Sequence, residues 1–299
     1  MIRTGKKFSK PTLSKVINGD LVLNDEEEKA DHLIRLDALA AQTFPDYSRR
    51  TLQGFIGQGF LKVNNEIIKV AKTKVDKGAK LELNVPEKPE KPKLDIIYED
   101  DNILVLDKPA GMLTHPHGDF TIEPTLEDYG LICHRLDRAT SGVIILAKNL
   151  EAKRKVMKQF QDRKAHKTYV AITDGCPKNP EALIDLPIAR NLKKHNTFYV
   201  SKQGRPSQTH YRVIKHNQRY AMLELKPTTG RTHQLRVHLA YLGTPIAGDP
   251  IYNHDTAPRL FLHASELEIT IPGGERKIFE SPLPPIFDEF YAGGGTDVL

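Results

Sequence analysis

A run of seven residues at 86–92, Pro-Glu-Lys-Pro-Glu-Lys-Pro, carries proline at every third position. Proline fixes φ and donates no backbone hydrogen bond, so the run fits neither the interior of a helix nor a central strand. It favours an extended, semi-rigid connector. We therefore expect two folded parts separated by a linker at 86–93, which also suits a length of 299 residues.

The two parts differ in charge. Residues 1–93 contain 18 Lys and Arg against 13 Asp and Glu, whereas residues 94–299 contain 26 against 25. The net charge of +6 therefore comes almost entirely from the N-terminal part and indicates a polyanionic partner. With 39% hydrophobic and 27% charged residues the chain can build a core, which excludes general disorder.

The sequence also excludes several other classes of protein. No stretch approaches the roughly 18 uninterrupted apolar residues of a membrane span, and the first ten residues lack the apolar segment of a secretory signal. Cys133 and Cys176 are too few for a disulfide scaffold or a zinc module, so we expect a cytoplasmic protein. His115 and His117 flank a proline, but nothing nearby completes a ligand set, and no metal is expected.

The N-terminal part shows the pattern of a small α/β module over residues 31–85, after a basic tail at 1–30 that we expect to be disordered. Apolar residues recur at helical spacing over 33–40 and again over 52–56. Ser48 precedes the second stretch and is a candidate N-cap. These patterns predict two short helices.

A hairpin should follow the second helix. Gly57-Gln-Gly59 breaks the helical pattern, and residues 60–63 and 66–70 read as two strands around Asn64-Asn65. Two asparagines favour the positive φ values of a type I′ turn. The hairpin is therefore predicted to carry basic side chains beside the two helices.

Four segments of this module resemble the small RNA-binding module first described in a ribosomal small-subunit protein. The resemblance implies that its basic face binds structured RNA through phosphates and shape. We assign this contact to Arg49, Arg50, Lys62 and Lys69. Taken alone, the charge also fits a solvated surface. The segments are Arg35-Leu-Asp37, Ser48-Arg-Arg50, residues 57–65 and residues 75–83.

From residue 94 onward, short strands alternate with helical stretches. Residues 94–98 and 103–107 read as strands, and 142–147 is too short and too β-branched for a helix. Pro109 and Gly111 stop the second strand, because proline cannot donate a ladder bond and glycine permits a left-handed turn. The pattern predicts a sheet with helices packed on it.

A dense polar motif, His134-Arg-Leu-Asp-Arg-Ala-Thr-Ser-Gly142, directly precedes one of these strands. Asp137 stands between Arg135 and Arg138, whose positive charge should favour its ionised form. Such a carboxylate can act as a nucleophile or a base. It can equally pair with an arginine and cap a turn. The local chemistry leaves both interpretations open.

Residues 228–240 form the third polar element and follow a strand at 220–226. Thr229 or Thr232 is expected to cap a helix, with Leu235, Leu239 and Leu242 on its apolar face. Arg236 falls on a separate stripe of this helix. It is either a packing residue or the partner of a buried carboxylate.

Six segments of the C-terminal part form an ordered set: 108–111 with His115-Pro116, 134–142, 167–171, 229–238, 243–249 and 262–264. In this order they resemble the RluA-type pseudouridine synthases, which isomerise uridine in RNA. The resemblance implies that Asp137 is the essential catalytic carboxylate, that Arg236 pairs with it, and that Tyr169 lies beside the target ring and assists proton removal at C5. Without the motif, Tyr169 would equally fit a core aromatic on a strand.

The same resemblance implies how the substrate is held. Arg135 would enter the RNA stack as the target base flips out, since the glycosidic bond is inaccessible inside a helix. His134, Arg231 and His233 are the further substrate-binding candidates. Because uracil is only detached, rotated and rejoined, no cofactor is expected, and no phosphate-binding or dinucleotide motif occurs.

The resemblance implies an α+β fold: a catalytic domain at 94–290 on a mixed, mostly antiparallel sheet with a central cleft, and a flexible tail at 291–299. The layout favours large-subunit ribosomal RNA as substrate, with transfer RNA as the alternative, and a monomer. The competing classes are a non-catalytic ribosome-assembly factor and an Asp-nucleophile hydrolase. Seven Lys and Arg at 151–169 fit a helix face that either is solvated or contacts RNA phosphates.

Overall fold

The computed structural model describes residues 16–17, 20–21, 32–116, 121, 123–254 and 257–293. Of the tail predicted at 1–30, only two short strands are described, Val16–Ile17 (β1) and Asp20–Leu21 (β2), and these pair antiparallel. The rest of that tail and residues 31, 117–120, 122, 255–256 and 294–299 lie outside the described part. The chain folds as two units that divide between Lys88 and Pro89, within the predicted linker segment. The exact domain limits stay predictions.

The first unit packs two helices on short strands. The strand Leu33–Arg35 (β3) precedes the helix Leu36–Thr43 (α1), and the helix Arg49–Gln58 (α2) follows. The prediction that residues 33 and 34 begin the first helix is wrong, because they pair in register with a later strand. Tertiary pairing here overrides helical spacing. That later strand is Lys74–Asp76 (β6), after Leu61–Val63 (β4) and Glu66–Ile67 (β5) and before Leu81–Leu83 (β7).

The local signals of this unit are confirmed. The Ser48 hydroxyl accepts the N–H of Thr51 at 3.1 Å and caps α2. Gly59 ends that helix with φ 87°, a left-handed value that glycine adopts without strain. Asn64 and Asn65 have φ 47° and 72°, as a type I′ turn requires. The second hairpin strand ends at Ile67 instead of Val70.

The second unit is built on a ten-stranded sheet. Its strands are Asp95–Glu99 (β8), Ile103–Lys108 (β9), Leu131–Ile132 (β10), Ser141–Ala147 (β11), His166–Asp174 (β12), Glu181–Asp185 (β13), Gln208–His216 (β16), Tyr220–Pro227 (β17), Leu262–Thr270 (β18) and Arg276–Glu280 (β19); Ile188–Arg190 (β14) and Phe198–Val200 (β15) form a separate hairpin. The main path of the sheet runs β13-β16-β17-β12-β18-β11-β9-β8, with β10 paired to β11 and β19 to β18. All of these pairs are antiparallel except β11 with β18, so the predicted mixed, mostly antiparallel sheet is confirmed.

Helices cover the sheet. The helix Leu150–Gln161 (α3) packs through Ala152 and Val156, while Gln234–Tyr241 (α4) and Ile286–Ala292 (α5) contribute to a second apolar cluster. α5 runs past residue 290, and its Tyr291 is buried. No helix in the described ranges is long and apolar enough to cross a membrane.

The parallel pairing of β11 with β18 positions the polar motif. Gly142 sits opposite Ala264 in the β11–β18 register and has φ 111°. A Cβ at this position would collide with the backbone of Ala264, so only glycine lets the two strands approach. The loop that carries Asp137 is thereby fixed directly beside the centre of the sheet.

Candidate active site

A cavity of about 460 Å³ lies in the second unit, between the loop before β11 and the first turn of α4. This volume falls within the roughly 300–1,000 Å³ that encloses a small ligand. All seven residues predicted for catalysis or substrate binding line it, although they come from three separate stretches of the sequence. They are His134, Arg135, Asp137, Tyr169, Arg231, His233 and Arg236.

Asp137 is presented by a loop that is tied down at both ends. Its carbonyl oxygen accepts the N–H of Thr140 at 3.0 Å, and the Thr114 hydroxyl donates to the carbonyl of Leu136 at 2.8 Å. The Asp137 side chain keeps 19% of its surface exposed, on the cavity side. The loop therefore offers a rigid, accessible carboxylate.

Lys108 stabilises the same loop through hydrogen bonds to its backbone. Its fully buried ammonium donates to the carbonyl oxygens of Pro109, Met112 and Arg138, at 2.9, 2.9 and 3.1 Å. Burial lowers the pKa of Lys108 to about 7, and the charge of Asp137 acts in the opposite direction. The sequence places this lysine in the segment 108–111 without indicating a role for it.

The two arginines beside Asp137 in sequence are not among the ion-pair partners of its carboxylate. Arg138 instead binds Glu123 at 2.9 Å and the carbonyl of Gly111. Arg135 is exposed and lines the cavity with Asp137. The arginine that contacts the Asp137 carboxylate comes from α4.

That neighbour is Arg236, which is also bound to a second carboxylate. Its Nη1 lies 3.3 Å from Asp137 Oδ2, whereas its Nε and Nη2 each donate to Asp249 at 2.7 Å. Asp249 is fully buried, and its Oδ1 also accepts the N–H of Ile251. The two carboxylates outweigh burial and raise the pKa of Arg236. The sequence pattern does not single out Asp249, although it is the only acid between 225 and 254.

The start of α4 differs from the prediction. Neither Thr229 nor Thr232 caps the helix: His233 is the N-cap residue, with φ 56°. The Thr229 hydroxyl instead lies 2.7 Å from Oε1 of Gln234. Leu242, predicted to face the core, follows the last helical residue and is 39% exposed.

Two family models match this chain, one for each unit. A model described as RNA pseudouridylate synthase matches residues 102–241, and an S4 domain model matches residues 34–81. An uncharacterized RNA pseudouridine synthase of Aquifex aeolicus is 37% identical over 293 residues, which cover 86% of this chain and 93% of the relative. The chain belongs to the RluA-type RNA pseudouridine synthases.

A further relative and a solved structure support the same family. A ribosomal large subunit pseudouridine synthase D of Pseudomonas aeruginosa is 36% identical over 288 residues, with 85% of this chain and 89% of the relative covered. The solved structure of human RNA Pseudouridylate Synthase Domain Containing 1 superposes with a TM-score of 0.56 at 30% identity, over 64% of this chain and 86% of the human one. The protein is thus an RNA pseudouridine synthase with an N-terminal S4 domain.

In this synthase Tyr169 lies on β12 and is nearly buried at the cavity wall. Burial, assisted by the charge of Asp137, raises the pKa of Tyr169 well above its usual value. The phenol therefore keeps its proton at neutral pH. Any part it takes in proton removal at C5 requires a partner that accepts the proton in the same step.

Two further basic groups shape the wall. His134 stacks on Phe160 at 4.4 Å, and its Nε2 accepts the N–H of Ile145, so it is a neutral wall residue whose pKa burial lowers to about 3. Lys167 was predicted within the basic helical stretch, but α3 ends at Gln161 and Lys167 lies on β12. Burial lowers its pKa to about 8.

In the S4 unit, the predicted RNA-binding residues differ in their surroundings. Arg49 donates to the fully buried Asp37 at 2.8 Å, together with Arg35 and Gln53. These donors outweigh burial and hold the pKa of Asp37 well below its usual range. Arg50 and Lys69 are exposed, and Lys62 is half-buried on β4.

The described residues contain no group of three His, Cys, Asp or Glu that could hold a metal. His115 lies 2.7 Å from Glu127 through its Nδ1, whereas His117 is outside the described part.

Proposed function

We propose that this synthase converts specific uridines of large-subunit ribosomal RNA to pseudouridine, acts as a monomer, and uses Asp137 as its essential carboxylate. One observation carries the assignment. Asp137 is the carboxylate that lines the cavity, and its Oδ2 is held by Arg236 while its Oδ1 receives no hydrogen bond from any described residue. An anchored carboxylate with one free oxygen is suited to attack or proton abstraction.

The reaction needs no other reagent. The bond between C1′ of the ribose and N1 of uracil breaks, the ring turns, and C1′ joins C5. C5 then gives up its hydrogen as a proton and N1 takes up a proton, so product and substrate are isomers. Asp137 acts on the ribose or the base during cleavage, while Arg236 supplies the positive neighbour that favours its charged form. Tyr169 lies beside the ring with its proton retained.

Access requires the target nucleotide to leave its helix. A flipped-out uridine suits the size of the cavity. Arg135 is exposed at the rim, where its guanidinium fills the vacated position in the RNA stack. A planar cation stacks on neighbouring bases and so offsets part of the unstacking energy.

The choice of ribosomal RNA rests on relatives and on charge. The Pseudomonas aeruginosa relative is named for the large ribosomal subunit. The S4 domain adds a basic surface, and residues 186–223 of the catalytic unit contain eight Lys and Arg without any Asp or Glu. A long, structured RNA engages both better than a short one.

Pseudouridine mapping of cellular RNA tests the proposal. Cells lacking the gene are supplied with wild type, Asp137→Asn or, as control, Asp101→Asn, whose carboxyl is exposed outside the cavity. We expect a large-subunit signal with wild type and control and none with Asp137→Asn. Equal maps for all three, with RNA binding kept, would establish a non-catalytic assembly factor. A signal confined to transfer RNA would retain the chemistry and replace the target.

A further inference from the structure

A chain of three groups leads from the β14–β15 hairpin to Asp137. The backbone N–H of Phe198 donates to the Tyr252 hydroxyl at 2.9 Å. That hydroxyl lies 2.9 Å from Nδ1 of His233. On the opposite side of the same imidazole, Nε2 lies 3.9 Å from Oδ2 of Asp137. All of these residues belong to the second unit.

We propose that Tyr252 holds His233 as the neutral tautomer protonated on Nε2, and that His233 is a positioning residue that acts through Asp137. The Tyr252 oxygen is already an acceptor for Phe198, so its own proton is free to point at Nδ1. Nδ1 is then the acceptor nitrogen, and the remaining ring proton sits on Nε2.

The ring is fixed in this orientation. Phe198 and Tyr252 both contact the His233 ring edge-on, at 5.4 and 5.6 Å between centroids, and only 12% of the side chain is exposed. Nε2 therefore points steadily at the carboxylate. The gap of 3.9 Å closes to hydrogen-bond distance when substrate settles in the cavity, as catalytic contacts in unliganded sites often do.

Two donors thus converge on one oxygen of Asp137. Arg236 Nη1 and His233 Nε2 both face Oδ2. In the part of the chain that the structure describes, Oδ1 has no donor within hydrogen-bond distance. This asymmetry, which rests on the proposed function of Asp137, assigns the reacting oxygen: Oδ2 anchors and Oδ1 meets the substrate.

The neutral state of His233 matters because an imidazolium would place a second cation beside Asp137. Burial lowers the pKa of His233, and the charges of Arg236 and Arg135 act in the same direction, against those of Asp137 and Asp249. Tyr252 donates to the neutral ring and favours it further, and burial raises the pKa of Tyr252 to about 12, so it keeps the proton it donates.

Two substitutions at position 233 can distinguish a structural role of the histidine from a role in the reaction. With φ 56°, position 233 is left-handed, a conformation that asparagine tolerates better than most residues. The amide nitrogen of asparagine replaces Nδ1, whereas that of glutamine reaches the place of Nε2. If His233 has a purely structural role, the His233→Asn enzyme should keep more activity. If Nε2 donates to Asp137, the His233→Gln enzyme should keep more.

The test uses the full-length enzyme and a ribosomal transcript that contains the mapped uridine, labelled with tritium at C5. Single-turnover tritium release should be about tenfold faster for His233→Gln than for His233→Asn, with similar RNA affinity. In Tyr252→Phe the midpoint of the acid limb of the pH–rate profile should move to a higher pH by about one pH unit, because the hydroxyl that lowers the His233 pKa is gone. Equal or reversed rates, or an unmoved limb, would overturn the inference.

A measurement without turnover keeps the test decisive if the variants fold poorly. Nitrogen-15 spectra of histidine-labelled wild type, with His233 assigned through the contacts of its ring with Phe198 and Tyr252, should show a pyridine-like Nδ1 and a pyrrole-like Nε2. The opposite tautomer contradicts the proposal. If wild type forms no pseudouridine, the proposed function fails as well, whereas an active wild type with the opposite tautomer removes only this inference.

Discussion

Arg236 makes its two shortest contacts with Asp249, at 2.7 Å each, and reaches Asp137 with one nitrogen at 3.3 Å. The two-pronged pair is the geometry in which guanidinium and carboxylate bind most strongly. Asp249 therefore orients the arginine, and the arginine in turn steadies the exposed carboxylate. Structural support and catalysis are assigned to different acids.

Asp249→Asn should consequently affect both stability and activity. It removes one member of a buried ion pair, which destabilises a fold by about 3–5 kcal/mol. Asp137→Asn removes a partly exposed group with a single ion-pair contact, so its effect on stability should stay below about 1 kcal/mol while activity is lost. Urea unfolding followed by circular dichroism measures this directly, since the chain has no tryptophan.

The two substitutions serve as controls for each other. Similar loss of stability in both would mean that Asp137, too, is part of the structural support. An Asp249→Asn enzyme with wild-type stability and rate would show that Arg236 needs no orienting partner.

Lys108→Met should destabilise the catalytic unit more than any exposed lysine substitution. It leaves the carbonyls of Pro109 and Met112 without a donor, whereas that of Arg138 keeps the N–H of Gly111 at 2.8 Å. Each acceptor left unpaired in the interior costs about 1–3 kcal/mol, so we expect a loss of at least about 2 kcal/mol in urea unfolding. Lys178→Met, at an exposed position, is the control and should lie within about 0.5 kcal/mol of wild type. An equal effect of both would show that the triple contact carries no stability.

Sequence patterns predicted the elements of this enzyme better than its contacts. Ser48, Gly59 and the Asn64-Asn65 turn act through their own backbone, so a single sequence suffices to place them. The residues predicted for the cavity also meet there. The ion pair of Arg236 with Asp249 could not be predicted in this way, because the packing of the segment after α4 brings the two residues together.

The wrong predictions have the same origin. Arg138 is next to Asp137 in sequence, but its side chain binds Glu123 instead. Residues 33 and 34 fit a helix until pairing with β6 takes them into a strand. Neighbours in sequence become neighbours in space only where local hydrogen bonds fix the chain.

The β14–β15 hairpin should bind RNA backbone. Its tip carries Lys193 and Lys194, both exposed, and Leu192 with 94% exposure, in a stretch without acids. Lys193→Glu with Lys194→Glu should weaken RNA binding and make its dependence on salt shallower, because two phosphate contacts are lost. The single-turnover rate at saturating enzyme should stay near wild type. The control is the same pair of Lys→Glu substitutions at Lys93 and Lys178, which line no part of the cavity. An equal loss of RNA affinity in both double variants would argue against a specific contact.

Acid should weaken the S4 unit through Asp37. A carboxyl whose pKa is lowered by folding stabilises the fold above its unfolded value, near 4, and this contribution is lost as pH falls further toward the folded pKa. Protection factors of α2 amides, which compare each exchange rate with that of the unfolded chain at the same pH, should therefore fall below about pH 4 in wild type. Asp37→Asn should have lower protection factors at neutral pH, because Arg35 and Arg49 lose their ionised partner, and these factors should change less with pH. Wild-type protection factors that stay flat from neutral pH to about pH 3 would show that these ion pairs leave the stability of the unit unchanged.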